Sequence, residues 1–370
     1  MRLLTIKEQD FGPLLPYIKN DAITDINYNG QDVWLNHLEY GRYKEKRDIG
    51  IDDEFAARFA ARLSNLMNVQ FNKYNPTLEA ETDALRVSVI HDSVTNTGYS
   101  ISVRKTPAER RIHRDTMVQD GYCPEALDNF MENAVLAGCN CVVCGLPGTG
   151  KTEYIKFLTN YIPPYEKVIT VEDNLEIRYR EINPGKDCIE IKVGDTMTYD
   201  DAIKKAMRQL PTWVMLSEAR STEVEELLKG TSTGTHCMTS LHTDDVRNIP
   251  DRIRNMSSNV NINDVYRFLD IGILIRSEIK PGEKIKRKIA QVAFISRANG
   301  ENKVEMFYED GKFLISDKDK LPSDIYNKFY IAGIDDPFKK HKDSQKEEFY
   351  YDAIADYEQN KAETKDEVDE

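Results

Sequence analysis

The chain has 370 residues, 40% of them hydrophobic and 31% charged, with a formal net charge of −13 at pH 7. That length exceeds what one compact core usually organises, so two domains are expected, and the acidic balance argues against an electrostatic grip on duplex nucleic acid. No run approaches the roughly 18 apolar residues of a membrane span, and the opening MRLLTIKEQDFGPLL lacks the basic-then-apolar pattern of a leader, so a cytoplasmic protein without a transmembrane segment is expected.

Residues 1–104 show no regular alternation of strand and helix. Phe55, Phe59, Leu63 and Leu66 stand at helical spacing and predict one helix. Strands are predicted at 32–36, after the Asn29-Gly30 turn, and at 85–90 and 99–103. The last two alternate apolar and polar residues and are joined by VTNTG, a hairpin signal. A small α+β domain over 1–104 follows. Pro107 and the charged run ERRIHRD mark a linker at 105–118.

From about Asp115 the pattern changes. Residues 140–145 form a short apolar run, and 151–162 read as a helix with Ile155, Leu158 and Ile162 on one face. Residues 168–171 and 213–216 are again short and wholly apolar, as in parallel sheets covered on both faces. Residues 221–229 read as a helix, with Thr222 and Glu225 in a capping box. Strands alternating with helices predict an α/β domain with a mostly parallel sheet over 119–338. Cys139, Cys141 and Cys144 lie in an apolar run with no second pair at zinc-ligand spacing, so they read as small buried hydrophobes. The remainder, 339–370, is acidic and polar except for Phe349, Tyr350 and Tyr351, and is expected to be a frayed helix or mobile tail.

The most specific local signal is Gly145-Leu146-Pro147-Gly148-Thr149-Gly150-Lys151-Thr152, a full G-x-x-x-x-G-K-[ST] match continued by Glu153 into the helix. Glycines let backbone N–H groups turn inward around a β-phosphate, and the following helix adds its positive end. Lys151 is placed to reach the β- and γ-phosphates and the Thr152 hydroxyl to ligate Mg²⁺, which makes ATP and Mg²⁺ the expected ligands. The second apolar run ends in Val171-Glu172-Asp173-Asn174-Leu175-Glu176, and carboxylates at such strand ends face the ligand crevice. Glu172 is expected to orient or deprotonate the attacking water and Asp173 to act through Mg²⁺; an acidic loop of solvated charges is the alternative. The third run ends in Ser217-Glu218, where Glu218 is the carboxylate suited to polarise water and to reach Mg²⁺ through ATP or water. His236 and His242 flank the next apolar run, and either could read a γ-phosphate through a hydrogen bond.

Taken together these elements resemble the secretion ATPase family that serves type II and type IV secretion and type IV pili. GLPGTGKT is similar to its Walker A loop, ITVEDNLEI to its aspartate box, WVMLSEAR to its Walker B strand and TGTHCMTSLHTDD to its histidine box. Upstream, TDINYNGQDVWLN and ALRVSVI…GYSISVRK resemble its N-terminal strands. Ser217 stands where the family usually has Gly, and Thr235 occupies its first histidine position, so His242 carries over more cleanly than His236. The paired Cys-x-x-Cys motifs of the zinc insertion found in some type II members are not seen, and with the compact C-terminal part this favours the type IV secretion and tight-adherence pilus subgroup. The resemblance implies a RecA-like P-loop ATPase domain, a homohexamer, and docking on inner-membrane platform or channel proteins of a secretion or pilus machine. It also implies that Arg86 and Arg104 are arginine fingers, against the plainer reading of two surface-paired strand arginines. A hexameric nucleic-acid motor and a small-molecule kinase share the loop and are the rival classes.

Overall fold

The computed structural model describes residues 8–82, 84–194, 196–280 and 282–341. Most of the expected tail, from residue 342 onward, therefore lies outside the described residues, as do the first seven. The chain divides into two compact units, one of Met1–Glu109 with Ser277–Arg287 and one of Arg110–Arg276 with Lys288–Glu370.

In the first unit the described strands are β1 (Ile23–Tyr28), β2 (Val33–His37), β3 (Gly41–Lys44), β4 (Thr77–Glu81), β5 (Leu85–Ile90) and β6 (Ser100–Lys105). They form an antiparallel sheet in the order β3-β2-β1-β6-β5-β4. Alternation works as expected: Leu85, Val87 and Val89 of β5 and Ile101 and Val103 of β6 are buried, and their neighbours along the strands are not. The predicted helix is Asp53–Met67, started by the Asp52 carboxylate, which accepts from the Phe55 amide at 2.7 Å, and ended by Asn68 in the left-handed region. Its buried stripe is Ala56, Phe59, Ala60 and Leu63, whereas Leu66 is 43% exposed, so two alanines take the contacts expected of the larger residue. The Asn29-Gly30 turn depends on its glycine, because φ is 90° and a Cβ there would stand 1.9 Å from the Thr97 carbonyl oxygen. The unit is discontinuous. Ile285 donates its amide to the Glu39 carbonyl at 2.6 Å and Arg287 reaches the Leu38 carbonyl at 2.9 Å, so residues predicted within 119–338 belong here.

The second unit is built on β7 (Cys141–Cys144), β8 (Val168–Glu172), β9 (Cys188–Lys192), β10 (Trp213–Leu216), β11 (His236–Leu241), β12 (Ile271–Glu278), β13 (Lys286–Ser296), β14 (Lys303–Glu309) and β15 (Lys312–Phe313). The sheet order is β15-β14-β13-β12-β7-β11-β10-β8-β9; β12 through β9 in that order run parallel, and β13, β14 and β15 are antiparallel. The pleat sends alternate residues to opposite faces. Cys141 and Val143 join one core with helices Glu125–Leu136, Lys151–Leu158 and Ser323–Ile331. Val142 and Cys144 join another with Tyr199–Met207, Glu223–Ser232 and Ile249–Arg254. Both faces being covered explains why the predicted strands are uniformly apolar. This is the RecA-like α/β architecture, with a small α+β unit ahead of it. Cys139, Cys141 and Cys144 are fully buried, and burial pushes each thiol up, as suits packing residues.

Two local expectations need correction. The helix expected at 151–162 is α-helical only over Lys151–Leu158, and Thr159–Tyr161 tightens into a 3₁₀ turn. Thr222 and Glu225 form no capping box. Thr222 has helical backbone angles and no side-chain cap. It is Glu223 whose carboxylate accepts from the amides of Arg220 and Ser221 (2.8 Å for the latter), while Glu225 binds Ser257 and Asn259. Thr222 lacks the extended backbone of a capping-box residue, and a carboxylate inside the first turn takes the preceding amides instead.

Candidate functional site

Strand register assembles the site. In the parallel sheet Leu241 pairs with Cys144 and Leu216 with Val171, so the residues that follow come out side by side at the carboxyl ends of their strands. His242 emerges beside Gly145, and Ser217-Glu218 beside Glu172-Asp173. Ligands bind such sheets in that crevice.

The glycine loop leaves β7 through Gly145, whose φ is 151° and whose missing Cβ would meet the Ile275 carbonyl oxygen at 2.6 Å and the Thr149 hydroxyl at 2.7 Å. Gly148 and Gly150 also hold positive φ, 78° and 96°. Leu146 and Pro147 are exposed at the loop tip, and Thr149 closes the loop by donating its hydroxyl to the Leu146 carbonyl at 2.9 Å. The helix beginning at Lys151 aims its free N–H groups into this turn. Glu153 contributes only backbone here, since its carboxylate pairs with the buried Lys156 ammonium at 3.2 Å.

The Lys151 ammonium lies within the loop, 3.2 Å from the Gly145 carbonyl oxygen and 3.4 Å from that of Leu146, and 3.2 Å from His242 Nδ1. On the far side of the imidazole, Nε2 lies 2.9 Å from Glu218 Oε1. Nδ1 is also 3.2 Å from the Gly145 carbonyl oxygen, so the direction of its hydrogen bond follows the ring tautomer; in either case loop, histidine and glutamate lie within hydrogen-bond reach of one another. Burial lowers the Lys151 pKa and the Glu218 charge opposes that shift. Arg220 extends the chain, with one nitrogen 2.9 Å from Glu218 Oε2 and another 2.9 Å from Asp173 Oδ2.

The aspartate-box residues divide their work differently from the expectation. Glu172 is fully buried. Its Oε1 accepts from the amides of Glu176 at 3.2 Å and Ile177 at 3.1 Å, and its Oε2 is buried with no hydrogen-bond partner. Burial pushes its pKa up to about 8, so it is mainly protonated at neutral pH and shapes the loop rather than meeting the crevice. This corrects its assignment as a water-orienting group: the register that brings Glu218 out turns Glu172 in. Glu176 instead approaches the loop, with Oε2 3.4 Å from the Thr152 hydroxyl. Asp173 donates its amide to the Tyr199 hydroxyl at 3.0 Å and gives its carboxylate to Arg220.

Of the two histidines only His242 belongs here. His236 begins β11 opposite Trp213, at the other end of the sheet; its ring centroid is 5.0 Å from the Trp213 ring and burial lowers its pKa to about 4. Arg86 and Arg104 face each other across β5 and β6 in the first unit, where Arg104 pairs with Asp25 at 2.9 Å and Arg86 with Glu79 at 3.6 Å. Arg220 was not singled out as a site residue from sequence. Its signal was its position two residues beyond a strand-end glutamate, legible only once register placed Asp173 alongside.

The donor set suits Mg²⁺. A threonine hydroxyl with carboxylates nearby, and no cage of three or more ligands among the described residues, fits a cation that keeps its waters and binds substrate phosphates. Thr152 would hold the ion directly, with Glu176, Asp173 or Glu218 reaching it through water. Beside Glu218 opens a cleft of about 370 Å³ whose lining includes Arg220, His242, Arg252 and Asn255.

Among the described residues no helix is long and apolar enough to cross a membrane. The sequence model of the family described as "Type II/IV secretion system protein" matches residues 74–317. An uncharacterized Bacillus anthracis protein is 26% identical over 309 residues, covering 80% of this chain and 70% of its own. The type IV secretion system protein PtlH of Bordetella pertussis is 30% identical over 116 residues, covering 30% of this chain and 33% of its own. The crystal structure of the Yersinia pseudotuberculosis ATPase DotB aligns with a TM-score of 0.59 at 14% identity, covering 81% of this chain and 82% of that one, a likeness of fold. With more than half of its length matched and the loop, carboxylate and histidine elements gathered in one crevice, the chain belongs to the type II/IV secretion system protein family.

Proposed function

We propose that this chain is a Mg²⁺-dependent ATPase, working as a homohexameric motor in type IV secretion, conjugation or assembly of a type IV-like pilus. The observation that carries the chemistry is the continuous path from Lys151 through His242 to Glu218. In this reading the glycine loop cradles the β-phosphate and Lys151 moves from the loop carbonyls onto the β- and γ-phosphates. Water attacks the γ-phosphorus in line, Glu218 takes its proton, and ADP and orthophosphate result. Bound Mg²⁺ neutralises phosphate charge in such reactions. His242 registers the γ-phosphate, because a lysine drawn to phosphate moves away from Nδ1. Arg86 and Arg104 serve as fingers that leave their carboxylate partners for the nucleotide when domains close, supported by their fixed charge and their place on adjacent strands. Ring assembly, a cytoplasmic location and docking on inner-membrane platform or channel proteins come from the family resemblance.

Phosphate release from ATP by the full chain and its Lys151→Ala variant tests this reading. The variant should fold and release no phosphate, and turnover at the wild-type rate would refute the assignment. Arg86→Ala and Arg104→Ala should each slow turnover at unchanged melting temperature; an unchanged rate removes the finger role.

A further inference from the structure

The cleft beside Glu218 has a charge pattern that the steps above do not use. Arg220 and Arg252 supply two guanidinium groups, and Asn255 and His242 add polar edges. The carboxylate in the lining is Glu218, and both of its oxygens already accept, from His242 and from Arg220. Arg252 is exposed on the last turn of helix Ile249–Arg254, and among the described residues its guanidinium has neither an ion pair nor a hydrogen bond. Several exposed arginines elsewhere on this acidic chain take carboxylates, as Arg58 does Glu54, Arg62 does Asp10 and Arg247 does Asp245. An unpaired fork beside a second guanidinium, with the local carboxylate already engaged, is a site for an anion from outside the chain.

We propose that this cleft holds the orthophosphate released by hydrolysis, with Arg252 and Asn255 receiving it beside Glu218. The inference rests on the ATPase reading. After cleavage, the ADP diphosphate remains in the loop with Lys151 and blocks return that way, so phosphate leaves past Glu218 and His242. The proton that Glu218 takes from water removes its charge, which weakens its bond to Arg220 at the moment phosphate forms. Arg220 then turns from an internal partner toward the leaving anion. The cleft volume accommodates a tetrahedral anion with several waters.

Inorganic phosphate titrated into the full-length protein saturated with ADP and Mg²⁺, followed by calorimetry, tests the site without requiring turnover. Wild type should bind phosphate. Arg252→Ala should weaken that binding about tenfold or more with ADP affinity unchanged, and Arg252→Lys should recover part of it, since lysine keeps the charge and loses the fork. Unchanged ADP affinity also shows that the variants are folded. Absence of phosphate binding to the ADP-loaded wild type, or equal binding by Arg252→Ala, overturns the proposal. A protein that fails to hydrolyse ATP yet shows Arg252-dependent phosphate binding would retain the anion site and lose only the catalytic reading.

Discussion

Replacing Glu172 with glutamine should flatten part of the protein's stability dependence on pH. Glu172 is enclosed at the end of β8, and burial raises its pKa from 4.5 to about 8 in the folded state. Between those values the folded chain holds a proton that the unfolded chain releases, so this residue's contribution is full below about pH 4.5 and is lost as pH rises toward 8. Each pH unit in that window is worth about 1.4 kcal/mol, which sets a ceiling of roughly 3 kcal/mol between about pH 5.5 and 7.5. Glutamine has the shape of the protonated acid, offers an oxygen to the Glu176 and Ile177 amides, and cannot ionise. Urea unfolding of both proteins across that range should give a difference that moves in the variant's favour by about 2 kcal/mol as pH rises. His236, held neutral by burial, has the opposite dependence but is common to both proteins and cancels. A difference independent of pH, or a variant that loses ground above neutrality, would refute the account of Glu172 as a buried acid.

His242→Ala should lower kcat about 10–100-fold, the worth of one hydrogen bond to a charged group, whereas His236→Leu should leave kcat per folded molecule unchanged; phosphate-release assays check both. The Asp270 carboxylate is buried, accepts from the Asn140 amide at 2.6 Å, and pairs with Lys328 at 2.6 Å. Lys328→Met should therefore destabilise the second unit by about 3–5 kcal/mol in denaturant melts, and Lys328→Met with Asp270→Asn should recover part of that loss.

The second unit was legible because its signals are local. A glycine loop between an apolar strand and a helix has one backbone solution, and runs such as Trp213–Leu216 are uniformly apolar because both faces of the sheet are covered. What sequence left open depended on register and tertiary paths. Glu172 and Glu218 both end buried strands and look equivalent in one dimension; pairing of Leu216 with Val171 turns one inward and leaves the other at the crevice. His236 and His242 are likewise separated by register, since the two lie at opposite ends of β11 and only His242 reaches the glycine loop. Leu66 fitted the helical period yet stays exposed, because Ala56 and Ala60 let the helix approach its sheet on a neighbouring line. The first unit's use of Ser277–Arg287 rests on hydrogen bonds between residues over 240 positions apart, from the Ile285 amide to the Glu39 carbonyl and from the Arg287 guanidinium to the Leu38 carbonyl, which no local pattern encodes.

Glu218 is the group on which the proposed chemistry turns, and one substitution isolates it. Glu218→Gln keeps the shape beside His242 and Arg220 while removing the base. Nucleotide binding and single-turnover phosphate release, measured together on the same preparation, should show ATP bound with affinity near wild type and cleavage slowed by about a hundredfold or more. Cleavage at the wild-type rate with binding intact would contradict the assignment of Glu218 as the residue that activates water.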